Sequence, residues 1–192
     1  ILYAHDDMYF CPNWDIVFVE ELNKIKEDDF FLSGIMVQKS NADLILDCGE
    51  SYKDFNETKL LKELPKIKAH NFQGTTWAPS LIPINTWNKV GGFSEEYGPG
   101  LGSDPDFNMK LWNIGVRLFK GLGNCRVYHF SSVTLRKKSW NNGAKTFLLK
   151  WGISIKFFRK HYLKANTIFD GQLKDAVKNY QYLIVLLKCK IS

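Results

Sequence analysis

The order of two apolar runs and a helical segment constrains the fold of this chain more than any other feature. Residues 1–4 and 30–37 are apolar stretches of strand length. Between them, Trp14, Phe18 and Leu22 recur every four residues, which is the spacing of one helix face. A strand, a helix and a second strand in this order are typical of a βαβ unit. We therefore predict an α/β fold whose first strands lie in a parallel sheet.

The composition is that of one globular domain. The 192 residues are enough to bury a core, and 45% of them are hydrophobic. The formal net charge of +6 suits an anionic ligand, an anionic membrane surface or a nucleic acid, and does not distinguish among them. The four cysteines have neither a CxxC spacing nor the density of a secreted disulfide scaffold, which favours a cytoplasmic protein. No apolar run approaches the roughly 20 residues that span a bilayer.

His5, Asp6 and Asp7 follow the first apolar run directly. Ligands of open α/β sheets collect at the carboxyl ends of strands, so we expect these three side chains at the rim of the sheet. Adjacent carboxylates attract hard cations such as Mg²⁺ or Mn²⁺, which often also hold phosphates. Alternatively, Asp6 and Asp7 only end the strand and begin a turn. Taken alone, this stretch favours the turn.

A glycine-rich loop over residues 95–102 leads into a predicted helix. Ser103 or Asp104 is the candidate N-cap, and Phe107 and Leu111 carry the apolar face of the helix. The amides at a helix N-terminus would stabilise the carboxylate of Asp104. A plain cap is the simpler interpretation of this aspartate.

Two strand candidates, residues 116–119 and 125–130, precede a basic segment. The glycine-rich residues 121–124 between them predict a turn, and His129 lies near the end of the second strand. Three consecutive basic residues follow at 136–138. They form either a solvated face or a phosphate-binding loop.

Helical periodicity dominates the C-terminal part of the sequence. We predict one helix over residues 148–162, despite a glycine at position 152, and the same periodicity recurs over residues 173–187. The lysines of this tail would allow it to lie on a membrane surface, but its apolar face favours packing on the protein. We expect one domain over residues 1–165 and a C-terminal helical tail over residues 166–192.

Taken in chain order, these features resemble the family 2 glycosyltransferases of the GT-A fold. The shared pattern comprises His5-Asp6-Asp7 at a strand end, Gly91-Gly92-Phe93-Ser94-Glu95-Glu96, Asp104-Pro105-Asp106-Phe107 at a helix start, and a strand-terminal histidine before basic residues. The resemblance covers residues 1–163. It implies a partial GT-A-like fold: a mixed, mainly parallel sheet flanked by helices, with a C-terminal helical extension. The family's N-terminal nucleotide-binding portion has no counterpart here, so we expect this sequence to be a piece of a longer enzyme.

The resemblance also implies an activity and a role for each site residue. A sugar would pass from a nucleotide-diphosphate donor to an acceptor hydroxyl, with inversion at the anomeric carbon. The acceptor would be a carbohydrate, a lipid-linked molecule or a protein. Asp104 would be the catalytic base, and Asp7 and His129 would bind Mn²⁺ or Mg²⁺. The remaining site residues would contact the donor (His5, Asp6, Arg136, Lys137 and Lys138) or the acceptor (Trp77, Gly92, Tyr97 and Asp106).

Two other functions stay open at this point. The chain could be an inactive remnant or carbohydrate-binding module of the same fold, or a basic nucleic-acid-binding domain. The charge permits the last of these, but no recognisable nucleic-acid motif supports it. We therefore expect no nucleic-acid partner, and membrane contact only at the periphery, through the C-terminal tail.

Overall fold

A computed structural model describes residues 1–40, 42–68, 70–74, 77–98, 101–130, 142–176 and 180–191. Within these residues the chain is an α/β protein with a mixed sheet flanked by helices. The strands are β1 (Leu2–Tyr3), β2 (Met8–Phe10), β3 (Phe31–Gln38), β4 (Leu44–Ile45), β5 (Phe72–Gln73), β6 (Ser80–Leu81) and β7 (Phe119–His129). The helices are α1 (Trp14–Leu22), α2 (Glu57–Glu63), α3 (Ile84–Val90), α4 (Ser103–Asn113), α5 (Gly143–Trp151), α6 (Ile155–His161) and α7 (Tyr180–Ile191). Short 3₁₀ helices cover Leu64–Lys66 and Glu95–Tyr97.

Strand β3 lies at the centre of the sheet, where the order is β1-β6-β3-β7-β2. All eight of its residues are buried, and β7 lies parallel to it. A strand that has neighbours on both sides and is covered on both faces typically has a continuous apolar sequence. The apolar run therefore predicted β3 correctly, to within one residue at each end.

The prediction of a mainly parallel sheet is wrong. Four of the six pairings between described strands are antiparallel, including that of β1 with β6. Strand β1 is thus not a buried parallel strand, and Leu2 is exposed. The antiparallel partners are short strands, and antiparallel pairs do not need the long crossover that parallel pairs require.

Strand β7 is continuous, although the glycine-rich residues 121–124 predicted a turn. Its pairing with β3 instead shifts register between Ser33 and Ile35, so the extra residues form an irregularity within the strand. Gly34 lies at this point, where an added Cβ would come within 2.9 Å of the Cys125 carbonyl oxygen. Gly34 thus lies where another backbone segment approaches closely.

The single helix predicted over residues 148–162 is two helices, α5 and α6. Gly152 ends α5 in the left-handed conformation, with φ of 69°. Ser154 then begins α6, where its side chain accepts a hydrogen bond from the Phe157 amide. The apolar spacing continues across the break, which is why periodicity alone did not show it.

The segment that follows residue 166 packs on the rest of the protein. The Gln73 amide donates to the Thr167 carbonyl at 2.8 Å, and Leu173 and Tyr182 belong to the main hydrophobic core. The described part of the tail thus adopts the packed arrangement that the sequence favoured. Among the described residues, no helix combines the length and apolar character needed to cross a membrane.

Candidate metal and acceptor site

Three potential metal ligands converge at the end of the sheet. His129 is the last residue of β7 and lies opposite Met8 of β2, while the Phe130 amide donates to the Asp7 carbonyl at 3.0 Å. This antiparallel pairing brings His129 Nε2 to 3.3 Å from Asp7 Oδ2. His5 completes the group, because one ligand atom from each of the three residues lies within 4.8 Å of the others. All three side chains are half-buried.

A hydrogen-bond chain orients His129. The Gln38 side-chain amide donates to the Ser40 carbonyl at 2.6 Å, which directs its Oε1 atom to His129 Nδ1 at 2.8 Å. Because Oε1 only accepts, Nδ1 carries the proton and Nε2 presents a lone pair in the neutral ring. Such a partner on the second nitrogen is the usual arrangement around a histidine that binds a metal.

The arrangement of Asp7 and His129 could accommodate a cation. In the neutral tautomer, the lone pair of His129 Nε2 faces a carboxylate oxygen of Asp7 across 3.3 Å. Two acceptors so close together repel unless a proton or a cation lies between or beside them. Two imidazoles and one carboxylate suit Mn²⁺ better than Mg²⁺, since Mg²⁺ prefers oxygen ligands. The group thus fits a divalent transition metal on the chemistry of its donors.

Asp6 lies outside this ligand group. Its side chain is exposed in the turn between β1 and β2, one residue before Asp7. Exposed carboxylates next to a site can still contact a bound molecule. The predicted contact of Asp6 with the donor stays a prediction.

Asp104 lies in the first turn of α4 and is electrostatically linked to the ligand group. Burial raises the pKa of Asp104 to about 6, and the charge of His5 acts in the opposite direction. Burial, followed by the charge of Asp104, raises the pKa of Tyr3 to about 12. The N-cap of α4 is Gly102, at φ of 99°, so the prediction that Ser103 or Asp104 caps the helix is wrong. The Asp104 carboxylate is therefore not the cap of α4.

An aromatic cluster joins the first strand to the helices beneath Asp104. The Phe93 ring lies 4.6 Å from that of Tyr3 and 4.9 Å from that of Phe107, measured between centroids. Gly92 is buried at φ of 63°, and an added Cβ would lie 2.9 Å from the Trp87 ring. Gly92 thus allows close packing under Trp87. Its predicted contact with the acceptor is corrected, because the residue presents no surface.

Asp106 and Tyr97 are also interior residues. Asp106 is 0% exposed and accepts from Ser94 Oγ at 2.7 Å and from Trp151 Nε1 at 2.8 Å. Lys150 Nζ lies 3.0 Å from Asp106 Oδ1. Tyr97 is 1% exposed, and burial, with the charge of Asp106, raises its pKa. The predicted acceptor contacts of both residues are therefore corrected: they support the loop before α4 from within.

The remaining predicted contacts are of two kinds. Trp77 is half-buried, and the Arg159 guanidinium lies 5.3 Å from the centre of its ring. Its contact with the acceptor stays a prediction. Arg136, Lys137 and Lys138 fall outside the described residues.

Sequence reasoning missed Gln38, Tyr3 and Lys150. Gln38 had a usable signal, because it is a large polar residue at the end of a mostly apolar central strand. Tyr3 and Lys150 had no such signal in the sequence. Tyr3 interacts with Asp104, about 100 positions away, and Lys150 contacts the buried carboxylate of Asp106.

Comparisons with protein-family models, with curated proteins and with solved structures found no match. No relative therefore assigns a role to any residue of the site. The functional argument rests on the residue pattern and on the geometry described above.

Proposed function

We propose that this chain is part of a metal-dependent, inverting glycosyltransferase of GT-A type that transfers a sugar from a nucleotide-diphosphate donor to an acceptor hydroxyl. One observation carries the proposal: His5 belongs to the potential metal-ligand group and also lies close enough to the half-buried carboxyl of Asp104 to influence its pKa. A site for a diphosphate-bound cation and a candidate base are thus adjacent. The resemblance to family 2 glycosyltransferases supports the same assignment.

The ligand group would serve the leaving group. His5, Asp7 and His129 would hold Mn²⁺, with Gln38 fixing the ring of His129. When bound, the ion would offset the negative charge that develops on the departing nucleoside diphosphate. Asp6 and the basic residues Arg136, Lys137 and Lys138 remain proposed donor contacts. The protein is proposed to act in the cytoplasm, where nucleotide-sugars would be its donors.

Asp104 would activate the acceptor. The acceptor oxygen attacks the anomeric carbon while the bond from that carbon to the diphosphate oxygen breaks, and the hydroxyl proton passes to Asp104. A single displacement of this kind inverts the anomeric centre. A carboxylate with a pKa of about 6 is mainly deprotonated at neutral pH and is more basic than an ordinary aspartate. Positioned bases of this type contribute roughly 10²- to 10⁴-fold to the rate.

The first experiment measures metal-dependent binding of uridine and guanosine diphosphates by calorimetry, with Mn²⁺ and without it. Asp7→Ala should abolish the Mn²⁺-dependent binding, and Gln38→Leu should weaken Mn²⁺ affinity about 10- to 100-fold. Asp28→Ala is the matched control, because it removes an exposed carboxylate that lies outside the ligand group and has no role in the proposed site. Equal Mn²⁺ affinity in the wild type and in Asp7→Ala would contradict the site.

The second experiment tests the base with a screen of nucleotide-sugars and acceptors. Asp104→Asn should keep the Mn²⁺-dependent binding of the diphosphate and lose sugar transfer. Unchanged turnover in this variant would refute the role of Asp104. Metal-dependent binding in the wild type without transfer to any acceptor would instead favour a non-catalytic binding module.

A further inference from the structure

A cavity of ≈ 940 Å³ lies between α5 and α6, apart from the ligand group. Cavities of roughly 300–1,000 Å³ are typical of sites for small organic ligands. Its walls come from α5, from the start and one face of α6, and from the turn that follows α6. None of the described residues placed in the proposed transfer reaction lines it.

The lining is strongly basic. Lys145, Lys156, Arg159 and Lys160 line the cavity, and none of its described lining residues is acidic. Within the described chain, the three lysines form no ion pair with a carboxylate. Arg159 differs, because Asp43 offsets part of its charge. The cavity therefore has a net positive charge that an anionic ligand would complement.

The same cavity has an apolar wall. Leu148, Leu149 and Ile155 line it, and Leu149 is 76% exposed. A free phosphate would use the lysines and leave this wall in contact with water. A ligand that covered the wall would gain the transfer free energy of the buried apolar area. Cationic and apolar groups in one cavity together favour an amphipathic anion.

The cavity adjoins the candidate site at two points. Asn142 and Ala144 line the cavity, and Gly143 between them packs so closely on the loop before α4 that an added Cβ would lie 1.7 Å from the Leu101 carbonyl oxygen. This loop leads directly to Asp104. On the other side, Arg159 lies against the Trp77 ring at 5.3 Å.

We propose that the α5–α6 cavity binds a lipid that carries a phosphate headgroup, with the phosphate on the lysines and the start of the hydrocarbon chain on the leucine wall. In the proposed transfer reaction, this lipid is the anchored part of a lipid-linked acceptor whose sugar hydroxyl reaches Asp104. The acceptor role rests on the proposed function. The binding of the phosphate headgroup and the hydrocarbon chain in the cavity does not depend on the proposed function.

The test compares three probes by calorimetry in the absence of divalent ions: octyl phosphate below its micelle concentration, octanol, and inorganic phosphate. We expect measurable affinity for octyl phosphate and affinity lower by at least about tenfold for the other two, since each lacks one half of the contacts. Equal binding of inorganic phosphate would identify a simple anion site, and equal binding of octanol an apolar site. Either result would overturn the proposal.

Variants locate the binding. Lys156→Gln with Lys160→Gln should weaken octyl phosphate binding about tenfold. Leu149→Ser should weaken it about threefold to fivefold and leave the weak binding of inorganic phosphate unchanged. Lys62→Gln with Lys174→Gln removes two exposed charges outside the cavity and should change the affinity by less than about twofold. Equal losses in the two lysine pairs would show a non-specific charge effect and would contradict the cavity.

One further variant separates this inference from the proposed function. Asp7→Ala should bind octyl phosphate as the wild type does, because Asp7 lies outside the cavity. Failure of octyl phosphate binding beside intact Mn²⁺-dependent diphosphate binding would remove only the lipid proposal. Octyl phosphate binding without any metal-dependent diphosphate binding would remove only the transferase.

Discussion

The carboxylate of Asp104 is in an environment that disfavours its charge. Burial raises its pKa from 3.8 to about 6, and the interaction with His5 acts in the opposite direction. A group whose pKa is raised on folding binds its proton more tightly in the native state, so ionising it costs stability. The cost is absent below pH 4, where the carboxyl is protonated in both states, and is complete above pH 6.

We expect Asp104→Asn to stabilise the metal-free protein by up to about 3 kcal/mol at pH 7 and by little at pH 4, because two pKa units correspond to this free energy. The gain should develop as the pH rises from about 4 to about 6. Denaturant unfolding of both proteins across this range, with a chelator present, measures it. Asp6→Asn, which changes an exposed carboxylate, should show no such pH-dependent gain. A constant difference between the wild type and Asp104→Asn at all pH values would contradict the raised pKa.

Single residues were predictable from the sequence where the strand end itself marked them. His5, Asp7 and His129 each follow or end an apolar run, and the structure brings these three together. The contact of Gln38 with His129 depends on the register of β3 and β7, in which Val37 lies opposite Tyr128. No local pattern encodes that register. The predicted ligand contacts of Tyr97 and Asp106 were wrong, because a polar residue in a motif looks the same in sequence whether it faces a ligand or the interior.

At the scale of elements, the break between α5 and α6 depends on one residue. Gly152 has φ of 69°, and an added Cβ would meet no atom within 4 Å. Only backbone strain, and no steric clash, therefore opposes a side chain here. A substitution at position 152 therefore distinguishes a single continuous helix from two helices. In a continuous helix, alanine would be more stable than glycine.

We expect Gly152→Ala to lower the free energy of unfolding by about 1 kcal/mol, since alanine disfavours the left-handed conformation. Gly152→Asn should lower it by less, because asparagine tolerates this conformation better. Thermal or denaturant unfolding of the three proteins gives the order. If the alanine variant were the most stable, residues 148–162 would form one helix after all.

A partly buried ion pair connects α5 to α4 and to the 3₁₀ helix Glu95–Tyr97. Lys150 Nζ contacts the fully buried Asp106 at 3.0 Å and Glu96 at 2.7 Å. We expect Lys150→Met to cost about 3 kcal/mol in unfolding free energy, because it leaves a buried carboxylate without its cation. Adding Asp106→Asn should recover part of this loss.

The matched control for this pair is Lys66→Met. Lys66 pairs with Glu63 at 2.9 Å on the surface, and such pairs contribute at most about 1 kcal/mol. Equal losses for the two methionine variants would show that the contact with Asp106 adds nothing. Chemical denaturation under identical conditions compares them.

The elements that the sequence missed are the shortest ones. Strands β4, β5 and β6 have two residues each, which is too short for any alternation to be visible. Their formation depends on neighbouring strands and not on local preference. The longer elements α1, β3 and α4 were found, with small errors at their ends.

At the scale of the whole molecule, the C-terminal helix is part of the main core. Tyr182 is 5% exposed, its ring lies 5.0 Å from that of Phe157, and its hydroxyl lies 3.0 Å from that of Tyr162. The sequence suggested a separate tail because a polar stretch precedes it. The backbone bonds between residues 71–73 and 167–169 that connect this stretch to the sheet could not be read from one sequence.

We expect Tyr182→Ala to lower the unfolding free energy by about 3 kcal/mol, as for other large aromatic side chains removed from a core. Tyr180→Ala, in the same helix, changes a ring that is 78% exposed and should have an effect below about 0.5 kcal/mol. Differential scanning calorimetry of the two variants tests this. Similar melting temperatures for both would show that α7 is not held by the core.

The central position of β3 has a consequence for synthesis on the ribosome. The strand ends at residue 38, but its parallel neighbour β7 begins only at residue 119. At usual translation speeds, this fully buried strand waits roughly ten seconds for its partner. The charged residues Asp28 and Asp29 precede the strand and Lys39 follows it. Charges that flank an apolar strand in this way discourage nascent chains from pairing with one another.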